Sequence, residues 1–196
     1  MELNNIDELY NSVSKYLKKG NSFLIALDGA DGSGKTTIAN LLSSRFNLKH
    51  IELDDDRYLI TNQGGYVDYI RYELLKEDLD KLKSKGQISI IEGICVLEIL
   101  NRIKILPSLH IYIKKLKFGL WLDGECFDYT SSIEEQMQKD REQFKRFHEF
   151  ESQMNNEQKE FNYETKGIFL DKLEYHFKFN PDQIADIVYV WDEEAA

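Results

Sequence analysis

Two cysteines in 196 residues, no long apolar run and fewer cations than anions set the first limits on this chain. Cys95 and Cys126 lie far apart, with no Cys or His partner at metal-ligand spacing, so neither a disulfide framework nor a zinc site is expected. None is needed, because a chain of this length buries about 70% of the surface it exposes when unfolded. A reduced, intracellular pair is the simplest reading of the thiols. The longest apolar runs, Phe23 to Leu27 and Ile187 to Trp191, are strand-sized, and Met1 to Tyr10 is acidic and polar. A signal peptide and a membrane span are therefore not expected, and the expected location is cytoplasmic. With 25 Lys+Arg against 35 Asp+Glu the formal net charge is −10, which repels polyanions and makes extended nucleic acid a poor partner. His50, His110, His148 and His176 show no ligand spacing, and no Asn-Lys-x-Asp signature of a guanine-nucleotide switch is present.

What is present is an ordinary globular composition, 42% hydrophobic and 31% charged, long enough for one domain at about 150 residues per domain. Segments of helical and strand character alternate, the mark of an α/β sheet with helices on its faces. Leu3 to Lys19 carries apolar residues at 6, 9, 13, 16 and 17 and ends at Gly20, which predicts an amphipathic helix. The run Phe23 to Leu27 predicts a strand covered on both faces. Helical spacing follows in Thr36 to Phe46 and in Tyr69 to Leu82, with strands at His50 to Leu53, Ile88 to Ile91, Ile111 to Ile113 and Asp186 to Trp191. Residues 131–163 are highly charged with almost no Gly or Pro, which predicts one or two long helices outside the sheet. Lys114 to Ser132 shows no clean period.

Gly29-Ala30-Asp31-Gly32-Ser33-Gly34-Lys35-Thr36 fits G-x-x-x-x-G-K-[ST] at every position and sits between a strand and a helix. Glycines let backbone N–H groups turn inward around phosphate oxygens, and the helix N-terminus adds positive dipole. Lys35 would neutralise the β- and γ-phosphates, and the Thr36 hydroxyl would ligate Mg²⁺. Asp54, Asp55 and Asp56 follow the second strand, at the carboxyl end of the sheet where ligands bind in open parallel folds. A carboxylate there can accept the proton of an attacking hydroxyl or hold Mg²⁺ through water; an acidic turn is the bland alternative. Glu92, before Gly93, ends a strand beside the P-loop strand and is the expected second acidic group near the metal, if it does not simply cap the next helix. In the charged region, Glu135, Lys139, Glu142, Arg146 and Glu149 share one helical face with i,i+4 pairing. Arg141, Lys145 and His148 share another, beside the apolar Ile133, Met137, Phe144 and Phe147. That second set could reach a transferring phosphoryl group or could be solvated.

These residues resemble the uridine kinase family. The resemblance rests on Asp28 to Thr37, on Leu53-Asp54-Asp55-Asp56-Arg57-Tyr58, on Ile90-Ile91-Glu92-Gly93-Ile94, and near the C-terminus on Tyr175-His176, Phe179, Pro181 and Ala185-Asp186. It spans residues 20–113 and 175–191, and implies a P-loop kinase fold: a five-stranded parallel sheet flanked by helices with a helical lid. It also implies that Thr37 joins the nucleotide loop. The family's basic aspartate matches Asp55 if Tyr58 is the second aromatic of the motif, or Asp54 if the turn is shifted by one; Asp55 is favoured, as base and near the metal. Asp68, beginning the helix after Gly64-Gly65, resembles the aspartate that holds ribose hydroxyls, with Asp54, Tyr58 and Arg71 as neighbours. Lys139-Asp140 is the nearest match to the family's Arg-Asp lid pair, and the stretch 114–132 departs from the family's pattern.

The chain is thus expected to be one P-loop kinase domain with a lid over 114–165. It should use ATP, with GTP left open, and Mg²⁺ to phosphorylate a hydroxyl of a small molecule, a nucleoside before others. Lys35, Asp55 and Arg141 would be the catalytic groups. Two alternatives stay open: a kinase of toxin or defence type acting on a macromolecule or activated sugar, and a partner-regulated ATPase.

Overall fold

The computed structural model describes residues 1–20, 23–60, 65–117, 120–121, 132–155 and 167–192. Strand β2 (Leu24–Gly29) is buried at every position and lies inside the sheet. It pairs in parallel with β4 (Ser89–Glu92) on one side and β5 (Leu109–Lys117) on the other. Beyond β4 lies β3 (Lys49–Glu52), and beyond β5 lie β7 (Ile187–Asp192) and the two-residue β1 (Glu2–Leu3), all parallel. A short β6 (Leu120–Trp121) pairs antiparallel to the end of β5. The parallel sheet therefore has six strands among the described residues, not the five expected. The extra strand comes from residues read as the start of a helix. The Met1 carbonyl accepts from Val188 N–H at 2.8 Å, and two residues of pairing are too short to leave a period in the sequence.

Alternate side chains of a strand point to opposite faces, and β2 shows why its sequence is continuously apolar. Leu24 and Ala26 join one core with Leu75, Leu79, Val96, Ile99 and Tyr175; Ile25 and Leu27 join the other with Leu9, Val13, Ile38 and Leu42. The first core is roofed by α3 (Tyr72–Ser84), α4 (Val96–Arg102) and α6 (Ile168–Phe179), the second by α1 (Ile6–Leu17) and α2 (Lys35–Phe46). Helix α1 begins where the Asn5 side chain accepts from Asp7 N–H at 2.8 Å. Helix α5 (Ile133–Asn155) begins with a reciprocal cap: Glu135 N–H donates to Ser132 Oγ at 3.2 Å and Ser132 N–H to Glu135 Oε2 at 3.1 Å. The four-residue α7 (Pro181–Ile184) leads into β7.

Two boundaries near the expected site differ from the sequence reading. Asp68 does not begin the long helix; it sits in a separate 3₁₀ turn, Val67–Tyr69, and α3 starts at Tyr72. The break has a cause, since Ile70 adopts an extended conformation and bridges back to Leu59. Strand β5 runs to Lys117, well past the expected Ile113. Among the described residues no helix is long and apolar enough to cross a membrane.

The chain crosses from β2 over α2 to β3, and from β4 over α4 to β5, on opposite faces of the sheet. The carboxyl ends of β2 and β4 thus flank the point where the connections diverge, which in open α/β sheets is where ligands bind.

Candidate active site

The loop between β2 and α2 is built around two close approaches. A Cβ on Gly29 would lie 2.6 Å from the carbonyl oxygen of Ile113, its partner in β5, and Gly29 has φ +149°. A Cβ on Gly34, at φ +90°, would lie 3.0 Å from the Trp191 ring. Trp191 closes this side of the loop by donating from its indole N–H to the Ser33 carbonyl at 2.6 Å. Lys35 opens α2, is 7% exposed, and donates from Nζ to the Ala30 carbonyl at 2.7 Å, inside the arch of the loop. Asp31 and Gly32 are exposed at the rim, and Thr37 follows in the first turn of α2.

Thr36 and Glu92 are brought together. The Thr36 hydroxyl donates to Glu92 Oε1 at 2.8 Å, joining the first turn of α2 to the end of β4. Glu92 is 1% exposed and has His50 Nε2 at 3.6 Å from the same oxygen; His50 Nδ1 lies 3.1 Å from Asn40 Oδ1. In register beside Glu92, Glu52 ends β3. Burial, followed by the Glu92 charge, raises the Glu52 pKa, with Asp54 and Asp55 adding to it. A hydroxyl and a carboxylate, both oxygen donors, with further carboxylates nearby, suit a hard cation such as Mg²⁺ that takes its remaining ligands from phosphate and water. Glu52 was not singled out in the sequence; the signal was there in two acidic residues ending neighbouring strands of equal length.

The first two of the three aspartates after β3 go different ways. Tyr66, 2% exposed, donates from its hydroxyl to Asp54 Oδ1 at 2.6 Å. The same hydroxyl passes so close over Gly93 that a Cβ there would be 2.7 Å from it. Asp54 is therefore held beside the Glu92-Gly93 strand end, and burial together with the Asp54 charge pushes the Tyr66 hydroxyl pKa well up. Asp55 Oδ1 instead accepts from Arg57 N–H at 2.7 Å, closing its own turn. It lines a cleft of about 460 Å³ along the free edge of β3 with His50, Glu52, Arg57, Asp78 and Lys81.

The remaining expected acceptor ligands are engaged elsewhere. Tyr58 is 7% exposed and donates to Asp78 Oδ2 at 3.0 Å. Asp68 pairs with Arg102 at 2.7 Å, and Arg71 holds the turn before α3 through the carbonyls of Asp56 and Arg57. On α5, Arg141 and Lys145 are exposed, as are Lys139, Glu142 and Arg146 of the other face. The side chains of Asp140, Phe144, Phe147 and His148, and all of Gly64, Asp123, Glu125, Cys126 and Phe127, lie outside the described residues.

Beneath the loop is a polar cluster the sequence did not reveal as such. Asp28, 1% exposed, accepts from Gly29 N–H at 2.8 Å and from the Tyr175 hydroxyl, with His110 Nε2 at 3.5 Å. Burial, then Asp28, pushes the Tyr175 hydroxyl pKa well up. Next to it, His176 Nδ1 is 2.7 Å from the Lys172 carbonyl and Nε2 is 2.8 Å from the Tyr112 hydroxyl. The carbonyl can only accept, so Nδ1 carries the proton and Tyr112 donates to Nε2. Burial lowers the His176 pKa against the opposing effect of the Lys172 carbonyl. Between the ordinary value of 6.5 and that lowered value the unfolded chain binds the proton and the folded chain does not. This contribution to stability is therefore complete above 6.5 and is lost as pH falls through that window. An NMR titration of the His176 ring should give a midpoint below 6.5; a midpoint at or above it would contradict the buried neutral tautomer.

Comparison with known proteins adds a family. A family model described as the KAP family P-loop domain matches residues 6–166. No curated protein matches. Among solved structures, a possible uridine kinase from Bacillus stearothermophilus aligns with TM-score 0.46 and 13% identity over 93% of this chain and 99% of its own. A sugar kinase from a Janibacter species aligns with TM-score 0.42 and 17% identity over 87% and 85%. An uncharacterized protein from Eubacterium ventriosum gives 0.41 and 14% over 88% and 89%.

Proposed function

The chain belongs to the KAP family of P-loop domains, and from that premise we propose that it is a Mg²⁺-dependent phosphotransferase that moves the γ-phosphoryl group of ATP to a hydroxyl of a small molecule, a nucleoside first among the candidates. The observation that carries this reading is the contact of Thr36 with Glu92 beside Lys35, with Asp54 held by the Tyr66 hydroxyl, which lies against Gly93, the residue after Glu92. Lys35 would bind the β- and γ-phosphates, and Thr36 and Glu92 would hold Mg²⁺, which when bound draws charge from the phosphate oxygens. Asp54 would accept the proton of the acceptor hydroxyl. The motif match favoured Asp55 for this role; the bond from Arg57 N–H to Asp55 and the bond from Tyr66 to Asp54 favour its neighbour. Arg141 on α5 would serve as a lid cation after movement of that helix.

Membership in a family of P-loop NTPase domains favours a second reading, hydrolysis of the nucleotide with water in place of the acceptor, which a partner would then regulate. ADP release with Mg-ATP across a panel of nucleosides, sugars and other alcohols separates the two. Release stimulated by one acceptor class supports phosphotransfer, whereas release indifferent to every acceptor supports hydrolysis. In the same assay Asp54→Asn should lower turnover by about 100-fold or more with nucleotide affinity little changed, because a general base acts in the transition state. Asp55→Asn should cost less than about tenfold. The reverse order would return the base to Asp55.

A further inference from the structure

Among the described residues, α6 delivers a cation to the P-loop from outside it. Lys172 Nζ donates to Asp31 Oδ2 at 2.8 Å across 141 positions of sequence. The Lys172 side chain is only 16% exposed, whereas that of Asp31 is 60% exposed. Lys172 Nζ lies over the Phe169 ring, 5.8 Å from its centroid.

Other bonds hold α6 at this place independently of the ion pair. Tyr175 donates to Asp28 beneath the loop, and Asp171 Oδ2 accepts from the backbone N–H groups of Tyr66 and Val67 at 2.7 and 3.1 Å. The Lys172 carbonyl itself accepts from His176. The backbone of residue 172 is thus anchored on both sides, which keeps its ammonium group within reach of the loop mouth.

Asp31 is the third residue of the eight-residue loop, beside Gly32 at φ +68°. A carboxylate at the rim of a phosphate cradle opposes an incoming triphosphate unless a cation accompanies it. Lysine presents a compact point charge on a flexible stem and can exchange one anion for a more highly charged one without moving its backbone. In phosphoryl transfer, charge spreads over the equatorial oxygens of the moving group, and a second cation beside the loop lysine stabilises it.

We propose that Lys172 is a second phosphate-binding cation, which leaves Asp31 for the terminal phosphate when a nucleoside triphosphate binds. The proposal rests on the reading that the loop takes such a nucleotide, and it adds a residue from α6 to the site.

The test is calorimetric binding of Mg-ADP and of a Mg-bound, non-hydrolysable β,γ-imido analogue of ATP to the full chain and its variants. Lys172→Met keeps an unbranched side chain of similar bulk and removes the charge. It should weaken the triphosphate analogue about tenfold and change ADP by less than about twofold, a loss confined to the terminal phosphate. Lys172→Arg should restore most of the difference. Asp31→Asn should leave analogue binding unchanged or tighten it, because a negative charge leaves the mouth. Equal loss of both nucleotides in Lys172→Met, no loss of either, or an analogue loss in Asp31→Asn as large as in Lys172→Met would each overturn the proposal and leave a structural ion pair. Wild-type protein that binds neither nucleotide would overturn the underlying reading and this proposal with it; wild-type protein that binds both, with Lys172→Met unchanged, overturns this proposal alone.

Discussion

Replacing Lys35 by alanine should abolish nucleotide turnover, by at least about 100-fold, while the protein stays folded. The reason lies in how little else the side chain does. Its ammonium bonds to the Ala30 carbonyl at 2.7 Å, within its own loop. Losing that bond costs about 1 kcal/mol, which moves the melting temperature of a domain this size by only a few degrees. The same substitution removes the one loop cation placed to neutralise the β- and γ-phosphates, and that interaction strengthens as charge develops in transfer. Turnover measured with saturating Mg-ATP, alongside a thermal melt, checks both halves. Activity within tenfold of wild type would sink the assignment of this loop to phosphate binding; a collapse of the melt would show that Lys35 has a structural role larger than its contacts imply.

The second large effect is on stability and comes from Gly29→Ala. The new methyl group would sit 2.6 Å from the Ile113 carbonyl oxygen and 2.9 Å from Ser33 Oγ. The serine can rotate, but the carbonyl belongs to β5, which at Ile113 is paired to Gly29 of β2 on one side and Tyr189 of β7 on the other and so resists withdrawal. The backbone at φ +149° adds strain for any side chain. Together the cost should be about 3 kcal/mol, read as a lower midpoint in urea with the slope unchanged, and nucleotide binding should fall with it. Gly32→Ala is the control. Gly32 also has positive φ, +68°, but a Cβ there meets nothing within 4 Å, so the cost should be near 1 kcal/mol. If the two variants melt alike, the tight packing of the loop base against β5 is wrong.

The resemblance to uridine kinases and the observed geometry diverge on which residues would be open to an acceptor. Thr36 bonds to Glu92, and Lys35 turns back to the Ala30 carbonyl inside the loop. Tyr58, Asp68 and Arg71 are occupied with Asp78, Arg102 and backbone carbonyls, so an acceptor that used them would have to displace those partners. Arg141 is exposed on α5, whereas Lys172 of α6 bonds to Asp31 of the loop.

What the sequence determined by itself is whatever is written in consecutive residues. The P-loop is legible because a phosphate cradle is one short stretch of backbone, and its glycines sit where close approach demands them. The central strands are legible because burial on both faces leaves an unbroken apolar run, as in Leu24 to Leu27. The helices α1, α2 and α3 are legible because one buried stripe repeats every three to four residues. Tertiary structure decided the rest. Strand β1 exists only because β7 offers it an edge, and its two residues carry no period. Asp54 and Asp55 are chemically identical and adjacent, and only the turn that Arg57 N–H closes and the arrival of Tyr66 separate them. The bonds of Tyr175 to Asp28 and of Lys172 to Asp31 join positions 147 and 141 residues apart, and such pairs leave no local pattern in a single sequence because the sheet and its covering helix, not the intervening chain, set the distance between them.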